Sequence, residues 1–207
     1  MESYRFNNLV YIPITKHASS SYTELFRNLL NWKTIQSDEI DWSNDKVFAH
    51  IINPYERHLK GITECLKKYE IESIVEDPRF LKLLTTAVFD LHSYPLAVTF
   101  GDKLHSIDWL LLDHHRLSGD YITHKFLKSY GIMVQPSDIP KINPSGYRAK
   151  ALINTIRQLR EDNDLTGTLT YFYERDIVLY NLVEQYTNLA EIENYHWDQI
   201  SWLNNAP

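Results

Sequence analysis

Between Leu9 and Leu30 the hydrophobic period of the chain switches from strand-like to helix-like, and this switch constrains the fold more than any other feature. Leu9, Val10, Tyr11 and Ile12 form an unbroken apolar run, the pattern of a strand covered on both faces. Tyr22, Leu25, Phe26, Leu29 and Leu30 then recur at helical spacing. The turn between them reads Thr15-Lys16-His17-Ala18-Ser19-Ser20-Ser21. A strand that passes through a short loop into a helix aims several backbone N–H groups and a positive helix end at one spot. Such a spot suits a phosphate-like anion. Lys16 adds a full positive charge there, and Ser19, Ser20 and Ser21 add hydroxyl donors.

The same alternation continues downstream. Val47-Phe48-Ala49-His50-Ile51-Ile52 is a near-continuous apolar run, as in a parallel strand. Asn53-Pro54 ends it, and Pro54 is well placed to open a helix. Tyr55, Leu59, Ile62, Leu66 and Tyr69 form one face of that helix, while Arg57, Lys60, Lys67 and Lys68 lie off it. Asp77-Pro78 signals another helix start, with apolar residues at helical spacing up to Leu91 and an end at His92. Leu96–Phe100 reads as a short strand, and Ile107–Leu112 as another. A helix is expected from Ser118 to Tyr130, stopped by Gly131. Further helices are expected over Tyr147–Arg160 and Thr168–Asn188, with Lys33–Asp45 as loop. Strands alternating with helices predict a single α/β domain over residues 1–207, a mainly parallel sheet of four or five strands flanked by helices.

Composition narrows the function classes. A net charge of -6 argues against a broad nucleic-acid-binding face, but leaves room for a local basic pocket. Cys65 is the single cysteine, so an intrachain disulfide is impossible and a cysteine metal site is unsupported. The start of the sequence shows no charged-then-apolar leader, and no apolar run approaches a membrane span. A cytoplasmic protein without a membrane or nucleic-acid partner is the expectation; oligomeric state is not legible.

The loop is not a Walker A motif, which needs G-x-x-x-x-G-K-[ST]; no glycine lies near Lys16, and the lysine precedes the small residues. Lys16-His17-Ala18-Ser19-Ser20-Ser21, after a strand ending at Pro13, resembles the 5′-phosphosulfate loop of sulfotransferases that use 3′-phosphoadenosine 5′-phosphosulfate (PAPS), in particular their carbohydrate-modifying branch. Four further segments follow the family's order. Asn53-Pro54-Tyr55-Glu56-Arg57 is similar to its 3′-phosphate segment, with Ile52 where the family has arginine and Lys60 where it has serine. His92, Pro95, Ile107 and Asp108 fall on the middle pattern, Ile139-Pro140-Lys141-Ile142-Asn143-Pro144-Ser145 on a late loop, and Tyr173, Asp176 and Tyr180 on a C-terminal helix pattern.

The resemblance implies a P-loop-like core and transfer of a sulfuryl group from PAPS to a hydroxyl of a carbohydrate or small metabolite, with PAP as product and no metal required. It implies that Lys16 stabilises charge on the transferring group, and that the loop from His17 through Ala18, Ser19, Ser20 and Ser21 holds the phosphosulfate. Asn53, Arg57 and Lys60 would serve the 3′-phosphate, helped by Arg148 from a late loop. A base must take the acceptor's proton, and imidazole suits that work. Among 9 histidines His92 ranks first and His50 second, with Glu56 third. His114 and His115, adjacent beside Asp113, would point to opposite faces if on a strand and so would not chelate one metal. Trp32, Tyr147 and Phe172 are candidates to stack on adenine. Two rival functions stay open: a sulfotransferase-like binding protein without catalysis, marked by Ile52, and an ATP-dependent phosphotransferase on a similar core.

Overall fold

The computed structural model describes residues 1–68, 94–142, 154, 156–158 and 166–193. They form one α/β fold around a five-stranded sheet. In chain order the strands are β1 (Glu2–Phe6), β2 (Leu9–Ile12), β3 (Lys33–Gln36), β4 (Lys46–Ile51) and β5 (Ile107–Leu111). The helices are α1 (Ser19–Thr23), continued by a π-helical stretch over Glu24–Leu29, then α2 (Pro54–Lys68), α3 (Leu96–Phe100), α4 (Gly119–Ser129) and α5 (Thr166–Glu193).

The sheet order is β3-β1-β2-β4-β5. Strands β2, β4 and β5 run parallel, whereas β1 is antiparallel to both of its neighbours. The expected mainly parallel sheet is therefore corrected to a mixed one. The parallel half is the half that the apolar runs announced. The antiparallel half is built from strands with little apolar pattern. In β3 only Ile35 is buried, which is enough at a sheet edge, where polar residues also discourage further pairing. Strand β1 turns into β2 through Asn7 and Asn8, with Asn7 at φ 54, a left-handed conformation that asparagine tolerates. Residues 33–36, expected to be loop, thus close the antiparallel edge.

A second correction concerns Leu96–Phe100, which is helix and not strand. Pro95 precedes the first turn, and the carboxylate of Asp176 on α5 accepts from the N–H groups of Leu96 at 2.6 Å and Ala97 at 2.9 Å. A remote carboxylate thus supplies the cap that a five-residue segment needs. The expected helix from Asp77-Pro78 to His92, the Asn143–Gly146 loop and the tail from Asn194 fall outside the described residues, as does most of Tyr147–Arg160.

The core is aromatic where α1 meets the sheet. Tyr11 lies with its ring centroid 4.5 Å from Phe26 and 5.3 Å from Phe48, and Phe48 reaches Phe126 of α4 at 4.8 Å. Trp32 is buried in the same cluster, 4.5 Å from Phe26, so it is packing and not an adenine platform. The π-helical stretch carries Leu25 and Phe26 inward, both fully buried. Its widened turn lets Leu30 N–H reach the Leu25 carbonyl at 2.9 Å.

Candidate functional site

The C-terminal ends of parallel strands are where open α/β sheets place their ligands. The loops leaving β2, β4 and β5 meet at that end around a cavity of about 480 Å³. Lys16, Ala18, Ser21 and Tyr22 line it from the loop after β2, Ile52 and Lys60 from the segment after β4, and Leu112 through Asp120 from the segment after β5. Lys141 also lines it.

The loop after β2 is built from two left-handed residues. Lys16 has φ 66 and Ala18 has φ 54, each costing about 1 kcal/mol or more for a residue with a Cβ. Something must hold them there, and His17 does. Its ring is wholly buried, and its Nδ1–H donates to the His50 carbonyl at the end of β4, 2.5 Å away. The loop is thereby pinned to the neighbouring strand. The consequence is a concavity. Left-handed Ala18 followed by right-handed Ser19 turns successive N–H groups toward one point, the arrangement that binds anions. No carbonyl among the described residues accepts from the N–H groups of Ala18, Ser19 or Ser20.

This geometry revises the expected loop ligands. His17 N–H is spent on the Ile14 carbonyl at 3.1 Å, and Ser21 N–H on that of Ala18 at 3.0 Å, so neither amide is offered to a ligand. The Ser21 hydroxyl faces the cavity and accepts from Ile142 N–H at 3.2 Å. The side chains of Ser19 and Ser20 are not part of the cavity wall.

The other expected residues divide sharply. Lys60 lines the cavity; Arg57, on the same helix, does not. Arg57 is 3% exposed, donates to the Tyr94 carbonyl at 2.6 Å and lies 3.9 Å from the Asp176 carboxylate. Its expected phosphate role is therefore corrected to a buried ion pair. Burial presses the guanidinium's pKa downward and the Asp176 carboxyl's upward, and each partner's charge opposes the other's shift. Asn53 is likewise structural: its side-chain oxygen accepts from Tyr55 N–H at 2.9 Å, capping α2, and its own N–H donates to Asp113 at 2.9 Å.

His50, the second-ranked base, is wholly buried beneath the cavity. Its Nε2 lies 2.9 Å from Thr123 Oγ1, its Nδ1 lies 3.4 Å from the Tyr11 hydroxyl, and Tyr22 stacks on it at 3.8 Å. Burial lowers its pKa to about 3. The structure thus moves His50 from the catalytic list to the core. Glu56 pairs with Arg157 at 2.9 Å, off the cavity. Phe172 also lies off the cavity wall. His92, Arg148 and Tyr147 lie outside the described residues.

Burial lowers the pKa of His17 too, with Arg57 the next contributor. Both histidines are neutral in the fold and free to charge in the unfolded chain, near pH 6.5. Their contribution is fully present above that pH and is lost as pH falls from 6.5 toward the depressed folded value. Each should reduce stability with a limiting slope of about 1.4 kcal/mol per pH unit. Urea unfolding at pH 7.5, 6.5 and 5.5 checks this; a flat profile over that range would refute the buried neutral assignment.

Sequence reasoning missed the segment after β5. His114 is a peg: its Nδ1 accepts from the N–H groups of Arg116 at 3.2 Å and Leu117 at 3.0 Å, and its Nε2–H donates to Asn188 at 3.0 Å. The segment is irregular and not strand. Gly119 then lets α4 start against Leu112, since a Cβ there would sit 2.8 Å from the Leu112 Cα. These contacts bring Asp113, His115, Arg116 and Asp120 to the wall. Asp120 accepts from the Tyr22 hydroxyl at 3.0 Å and is ion-paired with Lys141. The wall therefore carries four cationic side chains, Lys16, Lys60, Arg116 and Lys141, against two carboxylates, Asp113 and Asp120. On a chain of net charge -6 this is a local reversal of sign. The readable signal was a polar run, Asp113 to Ser118, between a strand and a Ser-capped helix.

Among the described residues no group of three or more His, Cys, Asp or Glu side chains is arranged to hold a metal ion, and no helix is long and apolar enough to cross a membrane. Comparison with protein-family models, with curated proteins and with solved structures finds no match to this chain.

Proposed function

We propose that this protein moves a sulfuryl group from PAPS to a hydroxyl of a carbohydrate or small metabolite, with β2, its loop and α1 acting as a P-loop-like core. One observation carries the reading. Three adjacent N–H groups without an acceptor among the described residues, those of Ala18, Ser19 and Ser20, belong to a loop whose Lys16, Ala18 and Ser21 line a cavity where cations outnumber carboxylates. Amides fixed in that way and a lysine ammonium are what a phosphosulfate end requires.

In this reading the loop amides and the Ser21 hydroxyl orient the charged oxygens. Lys16 offsets the charge that grows as the sulfur–oxygen bond to phosphate breaks, the electrostatic logic of phosphoryl transfer. Lys60 and Arg116 serve any second phosphate, in place of Arg57. The resemblance assigns the base to His92.

A second reading draws on a specific observation. Ile52 is 3% exposed and lines the cavity where the resemblance puts an arginine, and Arg57 is committed to Asp176. A binding protein that keeps the anion site without catalysis fits those two facts. Calorimetric and thermal titration with PAP tests the shared premise. At about 100 times its Kd, PAP should add about 2.7 kcal/mol to stability, and ATP with Mg²⁺ should add much less. Absence of heat and of any thermal shift with PAP would remove both readings; a preference for ATP with Mg²⁺ would favour phosphoryl transfer instead.

A further inference from the structure

Four side chains of the cavity wall carry lone pairs of the kind a general base uses: Asp113, Asp120, His114 and His115. Three are already committed. Asp113 accepts from Asn53 N–H and is hydrogen-bonded to Tyr180. Asp120 accepts from Tyr22 and is paired with Lys141. His114 has both ring nitrogens engaged and is 8% exposed. His115 is exposed, lines the cavity, and has no hydrogen-bond partner among the described residues. Its ring sits 4.4 Å from that of His114. The buried neighbour, fixed at three points, therefore holds the backbone that presents it. A base needs a vacant lone pair within reach of the reacting hydroxyl, on a support that does not wander.

From this we infer that His115 is the catalytic base, a role that rests on the sulfuryl-transfer reading and shifts the assignment away from His92. The acceptor oxygen forms a bond to sulfur while the bond from sulfur to the bridging phosphate oxygen breaks. The electron pair of the broken bond leaves on PAP. The acceptor's O–H proton passes to the vacant ring nitrogen of His115 and from there to solvent. The net products are a sulfate ester, PAP and one proton. Lys16, Lys60, Arg116 and Lys141 are the cations that share the cavity wall with that imidazole, and Asp113 and Asp120 the carboxylates.

The test uses the full chain with radiolabelled PAPS and a panel of p-nitrophenyl glycosides. His115→Asn should lower kcat by about 100-fold or more while PAP binding stays within about twofold of wild type. The rise of kcat on the acid side of the pH profile should vanish in that variant. His115→Ala should regain turnover when imidazole is added to the buffer, which a packing role would not produce. Turnover by His115→Asn within about threefold of wild type, with its pH limb intact, overturns the assignment. So does abolition of turnover by His92→Asn with His115→Asn active. If the wild type binds PAP and sulfates none of the glycosides, the base role falls and the non-catalytic reading stands. If it does not bind PAP, the donor reading itself has failed.

Discussion

Replacing Asp176 by alanine should lower the stability of the fold by about 3–5 kcal/mol, a large part of the 5–15 kcal/mol that domains of this kind possess. Asp176 is 1% exposed, and each of its oxygens has work. One accepts from Leu96 N–H and lies 3.9 Å from Arg57; the other accepts from Ala97 N–H. Without the carboxylate a guanidinium that is 3% exposed keeps only the Tyr94 carbonyl as a hydrogen-bond partner among the described residues, and the first turn of α3 loses its cap. An unpaired buried charge costs more than the pair contributes, because the cost is desolvation that nothing offsets. The double variant Arg57→Met/Asp176→Leu should therefore recover most of the loss. Urea unfolding of the single and double variants decides it. A single variant within about 1 kcal/mol of wild type, or a double variant no better than the single, would show that water or another group already serves Arg57.

That same pair shows where sequence reading reached its limit. Arg57 sits on a helix whose neighbouring polar positions include Lys60, so solvated charge and phosphate ligand were the two natural readings. What decides between them is Asp176, more than a hundred positions later, and no local pattern announces a partner at that distance. Lys60, three residues on, lines the cavity instead. The parallel strands, α2 and α4 were legible because burial on two faces or on one stripe leaves a periodic trace. Strands β1 and β3 left none, since each buries few residues and takes its place from backbone pairing. His17 reads as part of the phosphosulfate loop and His50 as a base; the structure spends both on holding the Lys16 loop and the core beneath it. The strand, loop and helix around Lys16 were legible from the switch of hydrophobic period. Which of the loop's amides stay unspent was not legible, because that depends on the left-handed turns at Lys16 and Ala18.

Lys16→Ala is the sharpest test of what that loop does. If Lys16 offsets charge on the transferring group, its loss should reduce kcat with radiolabelled PAPS by about 10²–10³, equivalent to about 2.7–4 kcal/mol of transition-state stabilisation. PAP binding should weaken far less, since the loop amides, Lys60, Arg116 and Lys141 still hold the ground state. The fold should tolerate the change. The side chain is half-buried at the cavity edge, and alanine meets the same left-handed backbone that lysine meets there, so stability should stay within about 0.5 kcal/mol. Lys16→Arg separates charge from placement: it keeps the cation but spreads it over a planar group, and should restore binding more fully than turnover. The split between kcat and affinity is the informative quantity. A variant that loses affinity and turnover in equal proportion would make Lys16 a ground-state ligand, as a non-catalytic anion site requires. A variant that keeps turnover within about threefold would place the reacting group elsewhere in the cavity, and the strand–loop–helix would then serve only to shape its wall.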